Sequence, residues 1–306
     1  MSAVPISAIG VVPPRASGPH PAAAVLAERV DAAAKRQKSA KAAPTGYRRA
    51  RAPEWIVQLL AMLAGIAVFV ALWEIVSRQG GGRIPAPAVV WKAAVVIFSD
   101  PFYSKGPNDQ GIGWNVLSSL KRVGIGFGLA ALVGIPLGFV VGRFRFAAGM
   151  AAPIIALLKP VSPLAWLPIG LLVFKAANPA AIWVIFICSL WPMIINTAVG
   201  VRQVPQDYLN VARVLNLSEW KVFTKILFPA VLPYMLTGVR LSIGIAWLVI
   251  VAAEMLTGGV GIGFWVWDEW NNLKVEHIII AIFTIGIVGL ALEQAMIVLA
   301  RRFSYE

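Results

Sequence analysis

A single cysteine, Cys188, stands in 306 residues, so an intrachain disulfide and a cysteine-based metal centre are both excluded. Histidine is almost as scarce. His20 and His277 lie far apart and are read as incidental rather than as a ligand pair. Charge is thin as well, at 13% of residues where soluble domains hold about 25%. No paired carboxylates or nucleophile–base set fall at matching depth, which argues against a membrane-embedded enzyme. The pattern G-x-x-x-x-G-K-[ST] is missing, so this chain has no loop of its own to cradle ATP. Alternating ten-residue segments are missing too, which sets aside a β-barrel. Without an apolar core followed by small residues near the start, no signal peptide is expected. Without an internal repeat, a proton-coupled secondary carrier is the weaker of the transport readings.

What the chain has is apolar length. Hydrophobic residues make up 59% of it and the mean hydropathy is +0.77. A helix crosses a bilayer with roughly 20 apolar residues. Six stretches qualify: 55–76, 123–141, 151–174, 180–198, 234–255 and 278–300. The expected fold is an all-α integral membrane bundle of about six transmembrane helices.

The net charge of +13 is unevenly spread. Nine of the 27 basic residues, from Arg15 to Arg51, precede the first span. Such a segment holds an N-terminus in the cytoplasm, and six spans then return the C-terminus, with Arg301 and Arg302, to the same side. The charge is thus read as membrane orientation, with no nucleic-acid partner. Residues 1–54 form a basic cytoplasmic tail, and 55–306 a transmembrane domain. Within the tail, 22–43 reads either as disordered or as a helix on the inner leaflet.

A polar island interrupts the apolar spans at 207–229, within the cytoplasmic loop 199–232. Asp207 follows Pro205 and starts a helix carrying Leu209, Ala212 and Leu215 along one side. Asn216 stands where a left-handed residue ends that helix. Ser218 caps a second helix with Glu219 in its first turn, Trp220, Phe223 and Ile226 as its apolar stripe, and Pro229 at its close. This is more construction than a connecting loop needs, and it reads as a docking element.

Three spans carry further features. The second holds three G-x-x-x-G spacings in Gly124, Gly128, Gly134, Gly138 and Gly142, which let helices approach closely. The third contains Pro153, Pro160, Pro163 and Pro168 around Lys159, and reads either as a helix broken at a substrate site or as a kinked scaffold helix. After the fifth, residues 254–270 read as a short gating or re-entrant segment, with Trp265, Trp267 and Trp270 in an interfacial belt. Residues 88–98 suggest a surface helix. A charge at mid-bilayer costs at least roughly 2.5–3.5 kcal/mol, so Lys159, Arg240, Glu254 and Glu293 each need a reason. Lys159 suits the passage of a small anion. Arg240 lies within snorkelling reach of the headgroups, Glu254 sits near the outer end, and Glu293 is expected to pair within the bundle. Arg240 and Glu254 are about 21 Å apart along one helix and cannot pair directly.

These residues resemble a known family. The island is similar to the EAA loop of bacterial ABC-importer permeases, with Asn210-Val211-Ala212, Asn216 and Ile226-Leu227-Phe228-Pro229 in register, Asn210 replacing the usual Glu and Asn216 the usual Gly. The strings KPVSPLAWLP (159–168), SLWPMIINTAVGV (189–201), PQDYLNVA (205–212) and AAEMLTGGVGIGFW (252–265) resemble the nitrate-type permeases, relatives of the sulfonate, taurine, bicarbonate and cyanate importers. The resemblance implies a type I importer fold, MetI-like, in the bacterial inner membrane. It implies a homodimer, cytoplasmic ATPase subunits that hold ATP and magnesium while this chain holds no cofactor, and a periplasmic or lipid-anchored solute-binding protein. It implies a coupling loop carried by Asp207, Asn210, Ala212, Asn216 and Pro229. The candidates for a translocation pathway are Lys159, Trp166, Arg240 and Glu254. Nitrate is the expected cargo.

Overall fold

The computed structural model describes Arg29, Ala32, Lys35 and residues 53–303. The alternatives for 22–43 therefore lie almost entirely outside the described residues. Two compact units divide within the first long helix, at Ala67. In the first unit, the described part of that helix shows apolar side chains such as Leu60, Met62 and Ile66 on its surface.

The helices, in chain order, are α1 (Glu54–Gln79), α2 (Pro87–Ser99), α3 (Ile112–Arg143), α4 (Arg145–Leu158), α5 (Pro163–Phe174), α6 (Ala177–Gln203), α7 (Gln206–Val214), α8 (Glu219–Val222), a π turn (Phe223–Leu227), α9 (Phe228–Thr257), α10 (Ile262–Asn271) and α11 (Val275–Phe303). Among the described residues the non-helical pairing is one isolated bridge, Ser104 with Gln110. Five helices are long and apolar enough to span a bilayer, and the bent pair α4–α5 makes six. The surface helix expected at 88–98 is α2. The second span is longer than its apolar run, because α3 begins at Ile112 and includes the polar residues Asn115, Ser118, Ser119, Lys121 and Arg122.

In the second unit α6 is the axis of the bundle, packed on α3, α5 and α9. Its contact with α3 depends on missing side chains: a Cβ at Gly138 would lie 2.5 Å from Thr197 Cβ, and one at Gly142 would lie 2.6 Å from Val201 Cβ. Gly134 and Gly126 meet Met193 and Ile185 in the same way. The 134–138–142 spacing is thus a packing seam, as expected. Gly124 and Gly128 face open space instead, because they lie off the α6 side of the helix. Between α6 and α9, Ser242 Oγ donates to the Ser189 carbonyl at 2.8 Å, and Ser189 Oγ lies 3.5 Å from the Ser242 carbonyl. This reciprocal pair satisfies hydroxyls that hydrocarbon would leave stranded.

At this level one open alternative is decided and one expectation changes. The third span is no kinked rod: α4 and α5 meet at 100°, with residues 159–162 between them. Pro160 and Pro163 lack N–H donors, and Ser162, held extended at ψ 134° before Pro163, cannot continue the helix. Nor does Pro229 close a helix. It stands in the first turn of α9, and α8, the π turn and α9 run on as one continuous helix of 39 residues. An α-helix would need an N–H at position 229; the π turn passes this by, bonding Phe228 N–H to the Phe223 carbonyl.

Candidate functional site

At one end of the bundle α7 and α8 form a tight hairpin. Asn216 holds φ +48°, the left-handed conformation that its short polar side chain tolerates. Leu217 N–H reaches back to the Ala212 carbonyl and Asn216 N–H to the Arg213 carbonyl, both at 3.0 Å. This pair of bonds is a Schellman motif, and it satisfies the carbonyls at the end of α7. Ser218 Oγ accepts from Lys221 N–H at 3.4 Å and caps α8 as expected.

The hairpin rests on its own small core. Leu209, Ala212, Val222 and Leu227 bury against Val201, Val204, Val231 and Met235, with Phe139 of α3 alongside. The expected stripes are partly corrected. Leu215 and Trp220 point outward, because the turn at Asn216 ends α7 before Leu215 can rotate inward, and Val222 and Leu227 fill the core in place of Trp220. Ala212 is 1% exposed and therefore faces inward. The free face carries Tyr208, Val211, Val214, Leu215 and Trp220, all more than half exposed, beside exposed Asp207 and Asn210. An apolar patch on a polar loop marks a partner surface.

The pathway candidates are dispersed rather than gathered. Lys159 is exposed at the break between α4 and α5 and, among the described residues, makes no ion pair. Trp166 packs half-buried against the main core. Arg240 does not snorkel free. Its Nη2 lies 2.5 Å from Glu293 Oε1 on α11, and this is the pair expected of Glu293.

Glu254 departs most from its expected setting. It is 1% exposed and closed in on every side. Ser119 Oγ lies 2.9 and 2.8 Å from its two oxygens, Arg122 Nη1 approaches Oε1 at 2.5 Å, and Gly263 N–H donates to Oε2 at 3.0 Å. Ser119 Oγ also accepts from Ile262 N–H, and Asn115 Oδ1 accepts from Gly261 N–H at 2.9 Å. Sequence reasoning missed Asn115, Ser119 and Arg122 because they stand outside the apolar run. Their spacing of four and then three residues was the available signal, since it sets all three on one helix face.

The segment after α9 turns at Gly258 and Gly259, with φ +76° and +90°. Trp265 is not in a belt. It is buried, stacked on the His277 ring at 6.0 Å and 11°, while Trp267 and Trp270 stay exposed. His277 Nδ1 lies 3.1 Å from Glu269 Oε2 without hydrogen-bond geometry, and Lys274 Nζ lies 3.7 Å from the same oxygen. Tyr103 and Asp109 complete this polar corner, where burial first and the Asp109 carboxylate second push the Tyr103 phenol up.

Residues 134–305 match the family described as the binding-protein-dependent transport system inner membrane component. The chain belongs to that family. Among its relatives is the nitrate import permease protein NrtB of Synechocystis sp., 48% identical over 229 residues, covering 75% of this chain and 83% of that one. The bicarbonate transport system permease protein CmpB of Synechococcus elongatus is 44% identical over 254 residues, covering 82% and 91%. A chain of the MetNI methionine ABC transporter, solved in inward-facing conformations, superposes with a TM-score of 0.55 at 12% identity, over 63% of this chain and 96% of its own. The fold is therefore that of a MetI-like type I importer permease. As an ABC permease it is a transport component of the inner membrane rather than an enzyme, and such systems carry the ATPase and the binding protein on other chains.

Proposed function

We propose that this chain is the membrane-spanning subunit of an ATP-driven importer whose cargo is a small anion, nitrate first. Three permeases named for nitrate import, between 43% and 48% identical, support that cargo. The observation that carries the anion reading is Lys159, a cation at the 100° break of a span that makes no ion pair among the described residues. An exposed break in a membrane helix is tolerated where it lines a watery path, and a lone cation there gives a passing anion a transient partner. The exposed Tyr208–Val211–Val214–Leu215 face docks on a separate ATPase subunit, which holds ATP and magnesium. A homodimer completes the path, and a solute-binding protein delivers cargo to the end opposite the hairpin. The basic residues near both termini support a cytoplasmic side for those termini and for the hairpin.

Bicarbonate is the second reading, favoured by CmpB relatives at 44–46% identity over similar lengths. Vesicles holding the whole complex decide between them. Uptake of labelled nitrate, driven by ATP and resisting a tenfold excess of bicarbonate, is the expected result. Uptake abolished by bicarbonate but not by nitrite, cyanate or taurine would transfer the assignment.

A further inference from the structure

We propose that Glu254, Arg122 and Ser119 form the latch through which movement of the hairpin reaches the loop 258–263 at the opposite end of the bundle. This rests on the reading of the chain as an ATP-driven permease.

The mechanical line is continuous. The helix that leaves the hairpin at Glu219 runs without a break to Thr257, 39 residues, or about 58 Å at 1.5 Å per residue. Its last turns carry Glu254. Beyond it, the loop is fastened at four consecutive residues, 260–263. Val260 O accepts from Ser118 Oγ, Gly261 N–H donates to Asn115, Ile262 N–H to Ser119, and Gly263 N–H to Glu254. There is no slack in this seat: a Cβ at Gly261 would lie 2.4 Å from the Glu254 carboxyl carbon, and one at Gly263 would lie 2.1 Å from the Val251 carbonyl oxygen.

A fixed scaffold would be as well served by apolar packing, because a buried ion pair gains little over hydrocarbon of the same shape. Arg122 supplies what apolar packing lacks, a choice of partner. Its Nη1 holds Glu254 on α9 while its Nε donates to Asn178 Oδ1 on α6 at 2.6 Å. When α9 shifts against α6, one of the two grips must give, so the contact has discrete arrangements rather than a continuum. Glu254, Arg122 and Ser119 are positioning residues for transport: they join the driven helix to the loop and to α10, which carries Trp265 and Glu269.

The test uses the full chain assembled with its ATPase and binding protein in vesicles, in a Cys188→Ser background. Glu254→Gln keeps the shape of the side chain and removes the charge that Arg122 grips. Expected are normal assembly, ATP hydrolysis near the wild-type rate and uptake lowered about tenfold. A spin label at Asn271→Cys on α10 then loses its ATP-dependent change in mobility, while one at Lys225→Cys on the π turn keeps it. Where Glu254→Gln fails to assemble, Ser119→Ala is read the same way, with uptake lowered about fivefold. An Asn271 label that follows ATP as in the unsubstituted complex, or uptake within twofold of it, overturns the latch alone. Uptake by the unsubstituted complex that ignores ATP overturns the importer reading instead.

Discussion

Arg240 on α9 and Glu293 on α11 meet at 2.5 Å on the wall of a cavity of about 780 Å³. The rest of that wall is largely apolar, including Leu241, Leu248, Ile285 and Leu290, with Gly244, Gly286 and Gly289 opening the space. Each charge is the other's reason to lie at this depth. Glu293→Leu leaves Arg240 uncompensated and should lower the melting temperature of the purified complex, whereas the double replacement with Arg240→Leu should recover much of the loss. A double-mutant cycle on thermal unfolding should show a coupling of about 1–2 kcal/mol.

On the proposed reading, the inward face of the hairpin serves folding and its outward face docking. Ala212→Asp places a carboxylate in the core with Leu209 and Val222, and should destabilise the hairpin by about 3 kcal/mol. Faster proteolytic cleavage between 204 and 228 is the readout. Val214→Asp, at a position 81% exposed, should leave proteolysis unchanged and abolish copurification of the ATPase. Equal cleavage of the two variants would refute the division.

The turn at Asn216 depends on a left-handed residue. Asn216→Gly should be neutral or slightly stabilising, and Asn216→Val should cost about 1–2 kcal/mol. Denaturation of the assembled complex, followed by its ATPase activity, compares the two.

Lys159 at the broken span bears on cargo. Lys159→Ala should cut anion uptake severalfold with assembly and ATPase binding intact, while Lys159→Arg keeps most of it. Wild-type uptake by Lys159→Ala would remove this residue from the path.

Spans and turn were legible in the sequence because each has a local cause. Apolar length marks the membrane helices, and Asn216 followed by Ser218 marks a helix end and a helix start. Tertiary contacts set the rest. The start of α3 fell outside the span expected at 123–141 because its polar residues serve Glu254, more than 130 residues away. Pro229 looked like a stop because proline usually is one, and here a π turn absorbs it. Trp265 looked interfacial until His277, brought in from the next helix, covered its ring.

The π turn at Phe223–Leu227 carries a consequence for the chain's history. A π turn is an α-helix holding one residue more than it needs. Removing one position there restores regular winding and leaves the angular phase on both sides unchanged. The junction between hairpin and span can therefore lose a single residue during divergence without turning the hairpin's exposed face aside, provided that Pro229, which regular winding would not accommodate, is replaced with it.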